Sequence, residues 1–189
     1  MDEQLSSTEK KKLLEIAREA LEIGVQGGLL EPINLNELPI ILQEEGGTFV
    51  TLTYGGNLRG CIGALEATRP LAEDVQQHAI AAALNDYRFP PVNPDELEGI
   101  TIEISYLTSP TPLLFEDPSD LVNQLRPGVD GVVIRDGIRR ATFLPQVWDK
   151  IPETETFLNM LCQKMGSKPE LWKQKRIEVF TYQVEKFSE

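Results

Sequence analysis

Residues 57–63 read NLRGCIG, and they place a guanidinium, a thiol and two glycines within one strand-like stretch. A thiol becomes a useful nucleophile when it ionises, and a neighbouring cation such as Arg59 favours the thiolate, so Cys61 is a candidate catalytic residue. Arg59 alone supports a second chemistry, the capture of an anion or of partner carbonyls. Glycine in a strand gives up backbone entropy and packs nothing, so Gly60 and Gly63 imply either that a ligand or another backbone approaches closely or that the strand bulges here.

The chain contains one histidine, His78, and two cysteines, Cys61 and Cys162. That supply rules out a His-rich zinc centre and leaves His78 as the single imidazole base for Cys61. His78 follows Leu71 and Val75 at helical spacing, where a partly buried, locally hydrogen-bonded histidine is the plain alternative. A free strand cysteine is also a common core residue. Glu103 stands on the polar face of an apolar strand and is a candidate partner for Arg59. Arg88 and Phe89 precede Pro90-Pro91, either lining a cleft or forming a rigid loop. Cys162 follows Leu158 at helical spacing and reads as helix core. With two distant cysteines and no disulfide framework, both are expected as thiols.

These residues need elements to hold them. Ser6 and Glu9 fit a capping box before an amphipathic helix over 7–23, and a loop follows from Gly24 to Pro39. Thr48–Tyr54 and Asn57–Gly63 flank Gly55-Gly56 as a hairpin. A two-residue turn there sets Leu52 opposite Arg59 and Val50 opposite Cys61, with Arg59 and Cys61 on one face. Pro70 opens a helix to about Asn85. Alternating Ile100, Ile102, Ile104 and Tyr106 predict a strand, and Asp117-Pro118 starts a helix to about Arg126. GVVIRDGIRRATFLP is a second hairpin. A short helix from Pro145 to Trp148, a longer one over 153–165 stopped by Gly166, and a closing strand over 176–184 complete the chain.

At 189 residues one domain is expected, spanning 1–189. Two hairpin-plus-helix halves, at about 40–90 and 128–166, suggest an internal duplication with both hairpins in one antiparallel sheet. The net charge of −12 argues against a broad nucleic-acid or anionic-membrane surface. The N-terminal residues lack a signal-peptide core and no apolar run spans a bilayer, so a cytoplasmic location is expected.

LRGCIG at 58–63, YRFPPV at 87–92 and TFLPQVW at 142–148, in that order, closely resemble the AMMECR family. The resemblance covers nearly the whole chain. One departure is Asp86-Tyr87, where the family often carries Asp-Pro. The resemblance implies an α+β fold with a mainly antiparallel, barrel-like sheet, two β-hairpin/helix repeats and flanking helices. Its motifs mark Arg59, Gly60, Gly63, Arg88, Phe89, Thr142 and Gln146 as candidate binding residues, and Glu103 joins them as the candidate partner of Arg59. It also suggests a shared pathway with Memo-like and radical-SAM proteins. No cofactor is identified by residue type. Two functions stay open: a binding or adaptor protein with a cleft near LRGCIG that receives a small molecule or a protein partner, and a thiol-dependent enzyme or subunit of a modifying system using Cys61.

Overall fold

The structure is a computed structural model that describes residues 4–65 and 68–189. Residues 1–3, on which part of the leader-peptide expectation rests, lie outside the described residues. Along the chain run α1 (Ser7–Val25), α2 (Ile40–Gln43), β1 (Gly47–Tyr54), β2 (Asn57–Gly63), α3 (Leu71–Leu84), β3 (Ile100–Leu107) and β4 (Thr111–Pro112). They are followed by α4 (Pro118–Gln124), β5 (Gly131–Asp136), β6 (Arg139–Phe143), α5 (Thr154–Lys164), α6 (Leu171–Gln174), β7 (Glu178–Tyr182) and β8 (Val184–Ser188). The chain divides into two compact units, one of Met1–Thr108 with Glu185–Glu189, the other of Ser109–Val184.

The first unit is a four-stranded sheet in the order β2-β1-β3-β8, with α1 and α3 on one face. Ser6 Oγ accepts from the Glu9 N–H and the Glu9 carboxylate accepts from the Ser6 N–H, so the predicted capping box forms. The helix runs to Val25, because Gly24 stays helical and the left-handed stop falls at Gly27. Val50 and Leu52 on β1 stand opposite Ile104 and Ile102 on β3. These four side chains are fully buried, together with Leu13, Ala17, Ala20 and Leu21 of α1 and Val75 and Ala79 of α3. The alternating pattern of the strands and the 3.6-residue pattern of the helices thus meet in one core. The chain's last residues close this unit: Glu189 pairs with Arg18 and accepts from the Ile102 N–H at 3.2 Å.

The second unit carries the sheet β4-β7-β5-β6. Its core stacks Trp148 on Phe157, ring centroids 3.6 Å apart, and Trp148 Nε1 donates to the Asp130 carbonyl at 2.7 Å. Asp117 caps α4 through the N–H groups of Ser119 and Asp120, and Glu153 caps α5 through that of Thr156. Cys162 is fully buried in α5, and burial pushes its thiol pKa up. It is unbridged, as is Cys61.

The fold is α+β and antiparallel, but among the described residues the two hairpins do not share a sheet and no closed barrel forms. In each sheet the first hairpin strand is central, so both of its edges are filled within its own unit. The expected closing strand is also two strands: it breaks at Gln183, with β7 in one sheet and β8 in the other. Among the described residues no helix is long and apolar enough to cross a membrane.

Candidate functional site

The LRGCIG strand is bulged. Tyr54 faces Asn57 and Thr53 faces Leu58 as the turn dictates, but Leu52 then faces Gly60, Thr51 faces Cys61 and Val50 faces Ile62. Arg59 is the extra residue, so the expected pairing of Leu52 with Arg59 and of Val50 with Cys61 is overturned. The slip turns Ile62 toward the core that Val50 occupies and leaves Cys61, partly exposed, beside Thr51 on the other face. Thr51 Oγ1 donates to Cys61 Sγ at 3.2 Å. The strand glycines are close-approach positions. A Cβ on Gly60 would lie 2.0 Å from the Ala82 carbonyl oxygen of α3, and one on Gly63 would lie 2.2 Å from that of Thr48.

β2 is an edge strand, and its outward backbone groups at Cys61 are met by side chains instead of a neighbouring strand. Asp86 Oδ2 accepts from the Cys61 N–H at 2.8 Å, and Arg88 Nη2 donates to the Cys61 carbonyl at 3.0 Å. Arg88 also grips Asp86 with its fork, Nε to Oδ1 at 2.9 Å and Nη2 to Oδ2 at 2.6 Å. Asp86 is 4 % exposed, a depth at which a carboxylate needs such partners. The Arg88 fork, aided by the N–H groups of Cys61 and Arg88, holds its pKa far below the carboxylate range, and Arg88 is raised in return. The Arg88 side chain keeps 43 % exposure, and its Nη1 has no acceptor among the described residues. Its guanidinium lies 5.6 Å from the centre of the Phe89 ring. Tyr87 is 94 % exposed, and the turn around it is intact, with the Phe89 N–H on the Asp86 carbonyl at 3.0 Å.

Arg59 has a different fate. Its Nε and Nη2 donate to the Glu96 carboxylate at 2.7 and 2.9 Å, its Nη1 to the Pro90 carbonyl at 2.8 Å and its Nη2 to that of Pro91 at 3.2 Å. Glu96 is fixed for this by an N-terminal box in which it accepts from the Asn93 N–H at 2.8 Å. Arg59, then Asn93, lower the Glu96 pKa to about 2. The expected Arg59–Glu103 pair does not form: Glu103 stands across from Thr51 on β3, with Lys186 Nζ 4.0 Å away.

Nor does the structure bring His78 to Cys61. His78 Nδ1 lies 3.1 Å from both Thr48 Oγ1 and Asp74 Oδ2, and Thr48 donates to Asp74 at 2.6 Å. Thr48 alternates with Val50 and Leu52 on the helix-covered face, whereas Cys61 sits with Thr51 on the opposite one. Thr142 and Gln146 belong to the second unit. Thr142 Oγ1 hydrogen-bonds Tyr182 Oη at 3.1 Å, its carbonyl accepts from Lys164 Nζ at 2.9 Å, and Gln146 is exposed. The residues that sequence reasoning missed are Asp86 and Glu96. Glu96 had a signal in Asn93-Pro94-Asp95-Glu96, a helix-start box, while Asp86 had none beyond its place before Arg88. Among the described residues, no group of three or more His, Cys, Asp or Glu side chains is placed to hold a metal ion.

A family model described as AMMECR1 matches residues 14–187. The chain belongs to the AMMECR1 family. A protein of Methanothermobacter thermautotrophicus is 40% identical over 191 residues, covering 98% of this chain and 96% of that protein. Protein MK0488 of Methanopyrus kandleri is 36% identical, covering 100% of this chain and 92% of the other. The crystal structure of the uncharacterized protein PH0010 from Pyrococcus horikoshii superposes with a TM-score of 0.71 at 34% identity, covering 94% of this chain and 89% of that one. Two of the three sequence runs, LRGCIG and YRFPPV, meet at the Cys61 edge.

Proposed function

We propose that this AMMECR1-family protein is a binding or adaptor protein whose recognition group is Arg88 beside the Cys61 edge. One observation carries this reading: a buried carboxylate, Asp86, fixes a half-exposed guanidinium whose Nη1 donors have no acceptor among the described residues. A planar donor pair held in one orientation suits a carboxylate, a phosphate or the carbonyls of a partner segment, because little side-chain entropy remains to be lost on binding. Arg59, with four donor contacts already made, is assigned to the fold. Memo-like and radical-SAM proteins are the first partners to try.

The second reading, a thiol-dependent enzyme or subunit of a modifying system, is favoured by the Thr51 hydroxyl on Cys61 Sγ. It has lost its imidazole base, because His78 is engaged on the opposite sheet face. Co-purification with mass spectrometry of bound molecules and chains, run on wild type, Arg88→Lys and Cys61→Ser, separates the two readings. Arg88→Lys keeps the charge and removes the fork, so we expect at least about tenfold weaker association, with Cys61→Ser unchanged. A folded Arg88→Lys that binds like wild type, together with Cys61 alkylation faster than a model thiol, would transfer the assignment to the enzyme.

A further inference from the structure

A guanidinium has five N–H groups, and Arg88 has spent three of them. Nε donates to Asp86 Oδ1 at 2.9 Å, while Nη2 donates to Asp86 Oδ2 at 2.6 Å and to the Cys61 carbonyl at 3.0 Å. Arginine embraces a carboxylate or a phosphate with two neighbouring nitrogens, and each of its two forks needs Nη2. Both forks are therefore closed. What remains is Nη1, whose two N–H groups diverge and reach one oxygen each. We propose that the occupant of this site is an extended, uncharged or basic polypeptide segment, one of whose main-chain carbonyls accepts from Arg88 Nη1. The proposal rests on the reading of Arg88 as the recognition group and names its partner class.

Charge points the same way. Asp86, 2 % exposed at its side chain, already neutralises Arg88, and Glu96 neutralises Arg59 on the same strand. Around these matched pairs the first unit holds twenty acidic and eight basic residues, a field that repels a phosphate or carboxylate and attracts a neutral or basic chain. β2 itself has no place for such a segment at Cys61, because Asp86 takes the N–H and Arg88 the carbonyl. Arg88 instead extends that edge outward, with Nη2 on the strand's carbonyl and Nη1 offered to the next one. The adjoining Tyr87 ring is 94 % exposed, and the Phe89 ring centre lies 5.6 Å from the guanidinium. Arginine and tyrosine are the residue types that anchor polypeptide partners, and an inorganic anion would leave Tyr87 unused. An apolar side chain of the segment covers Tyr87 while its backbone meets Nη1.

The test selects a displayed library of random peptides, about nine residues or roughly 30 Å when extended, on the full chain, with Arg88→Ala as the counter-selection. One selected sequence, made synthetically with an acetylated N-terminus and an amidated C-terminus, is then titrated by amide chemical shift at about 0.15 M salt to screen diffuse attraction. We expect selected sequences depleted in Asp and Glu and carrying an apolar residue, with saturable shifts at Cys61 and residues 86–89. Binding should weaken at least about tenfold in Arg88→Lys and at least about threefold in Tyr87→Ala, and excess inorganic phosphate or acetate should not compete. Selection of acidic sequences, or displacement of the peptide by phosphate or acetate, overturns the proposal and leaves Arg88 as the recognition group. Undiminished binding in Tyr87→Ala overturns it too, and undiminished binding in Arg88→Lys overturns both the proposal and the reading beneath it. If no sequence is enriched over the counter-selection the proposal falls, and phosphate titrated into the unaltered protein then decides the reading of Arg88: saturable shifts at residues 86–89 keep it and their absence removes it. Sequence composition and anion competition are read on the unaltered protein, so they decide the matter even if a variant is impaired.

Discussion

Arg59 and Arg88 both serve the strand that carries Cys61, yet only Arg88 has a side-chain nitrogen, Nη1, with no acceptor among the described residues. Arg59 is 12 % exposed at its side chain and binds Glu96 and the carbonyls of Pro90 and Pro91, so it ties the bulge to the turn after α3. Arg59→Ala strands Glu96 and two carbonyls, and we expect a loss of about 2–3 kcal/mol in urea unfolding, with the fold retained. Glu96 adds a pH dependence of known sign. Its folded pKa of about 2 lies below the ordinary 4.5, so the unfolded chain binds its proton first on acidification. The stabilisation is complete above 4.5 and is lost as the pH falls toward 2. Glu96→Gln should therefore be less stable at neutral pH and show a flatter decline over that window than wild type. Equal slopes for the two proteins would exclude Glu96 as a contributor.

At the scale of elements, the Gly55-Gly56 turn, the capping box at Ser6 and the alternating Ile100–Tyr106 strand were legible because each is written in residues a few positions apart. The strand glycines allowed for a bulge, but its position was harder to read. Gly60 has no side chain to report its face, so alternation ran uninterrupted through Arg59 in a simple reading. Ile62 held the clue, since only the slip sends it to the core side with Val50. The separation of the hairpins into two sheets was not legible at all, because which edges pair depends on contacts distant in sequence. At the β2 edge, moreover, the neighbour is a pair of side chains, Asp86 and Arg88, which leave no strand-like pattern. Gly60→Ala tests the close approach directly. Its Cβ would stand 2.0 Å from the Ala82 carbonyl oxygen, and that backbone cannot step aside without moving α3. We expect a loss of at least about 2 kcal/mol by chemical denaturation, against near neutrality for Leu58→Ala on the exposed side of the same strand.

At the scale of the whole molecule, charge is divided as unevenly as structure. The first unit holds twenty acidic and eight basic residues, whereas the second holds ten of each, so the net charge of −12 belongs entirely to the first. Self-repulsion on that scale opposes compactness and weakens as salt shortens the screening length from about 20 Å at low ionic strength to a few ångströms. Several acidic residues, Glu19 and Glu31 among them, form no ion pair among the described residues to offset it. Adding sodium chloride from about 0.02 to 0.5 M should then slow amide exchange severalfold in β1 and β3, and leave β5 and β7 nearly unchanged. The second unit provides an independent optical signal, because both tryptophans, Trp148 and Trp172, lie within it. Their thermal transition, followed by fluorescence, should move little with salt while the far-ultraviolet dichroism gains a salt-dependent component from α1 and α3. If exchange in all four strands slows by one common factor and both optical transitions shift together, the two units unfold as a single cooperative block. The repulsion would then be borne by the whole chain.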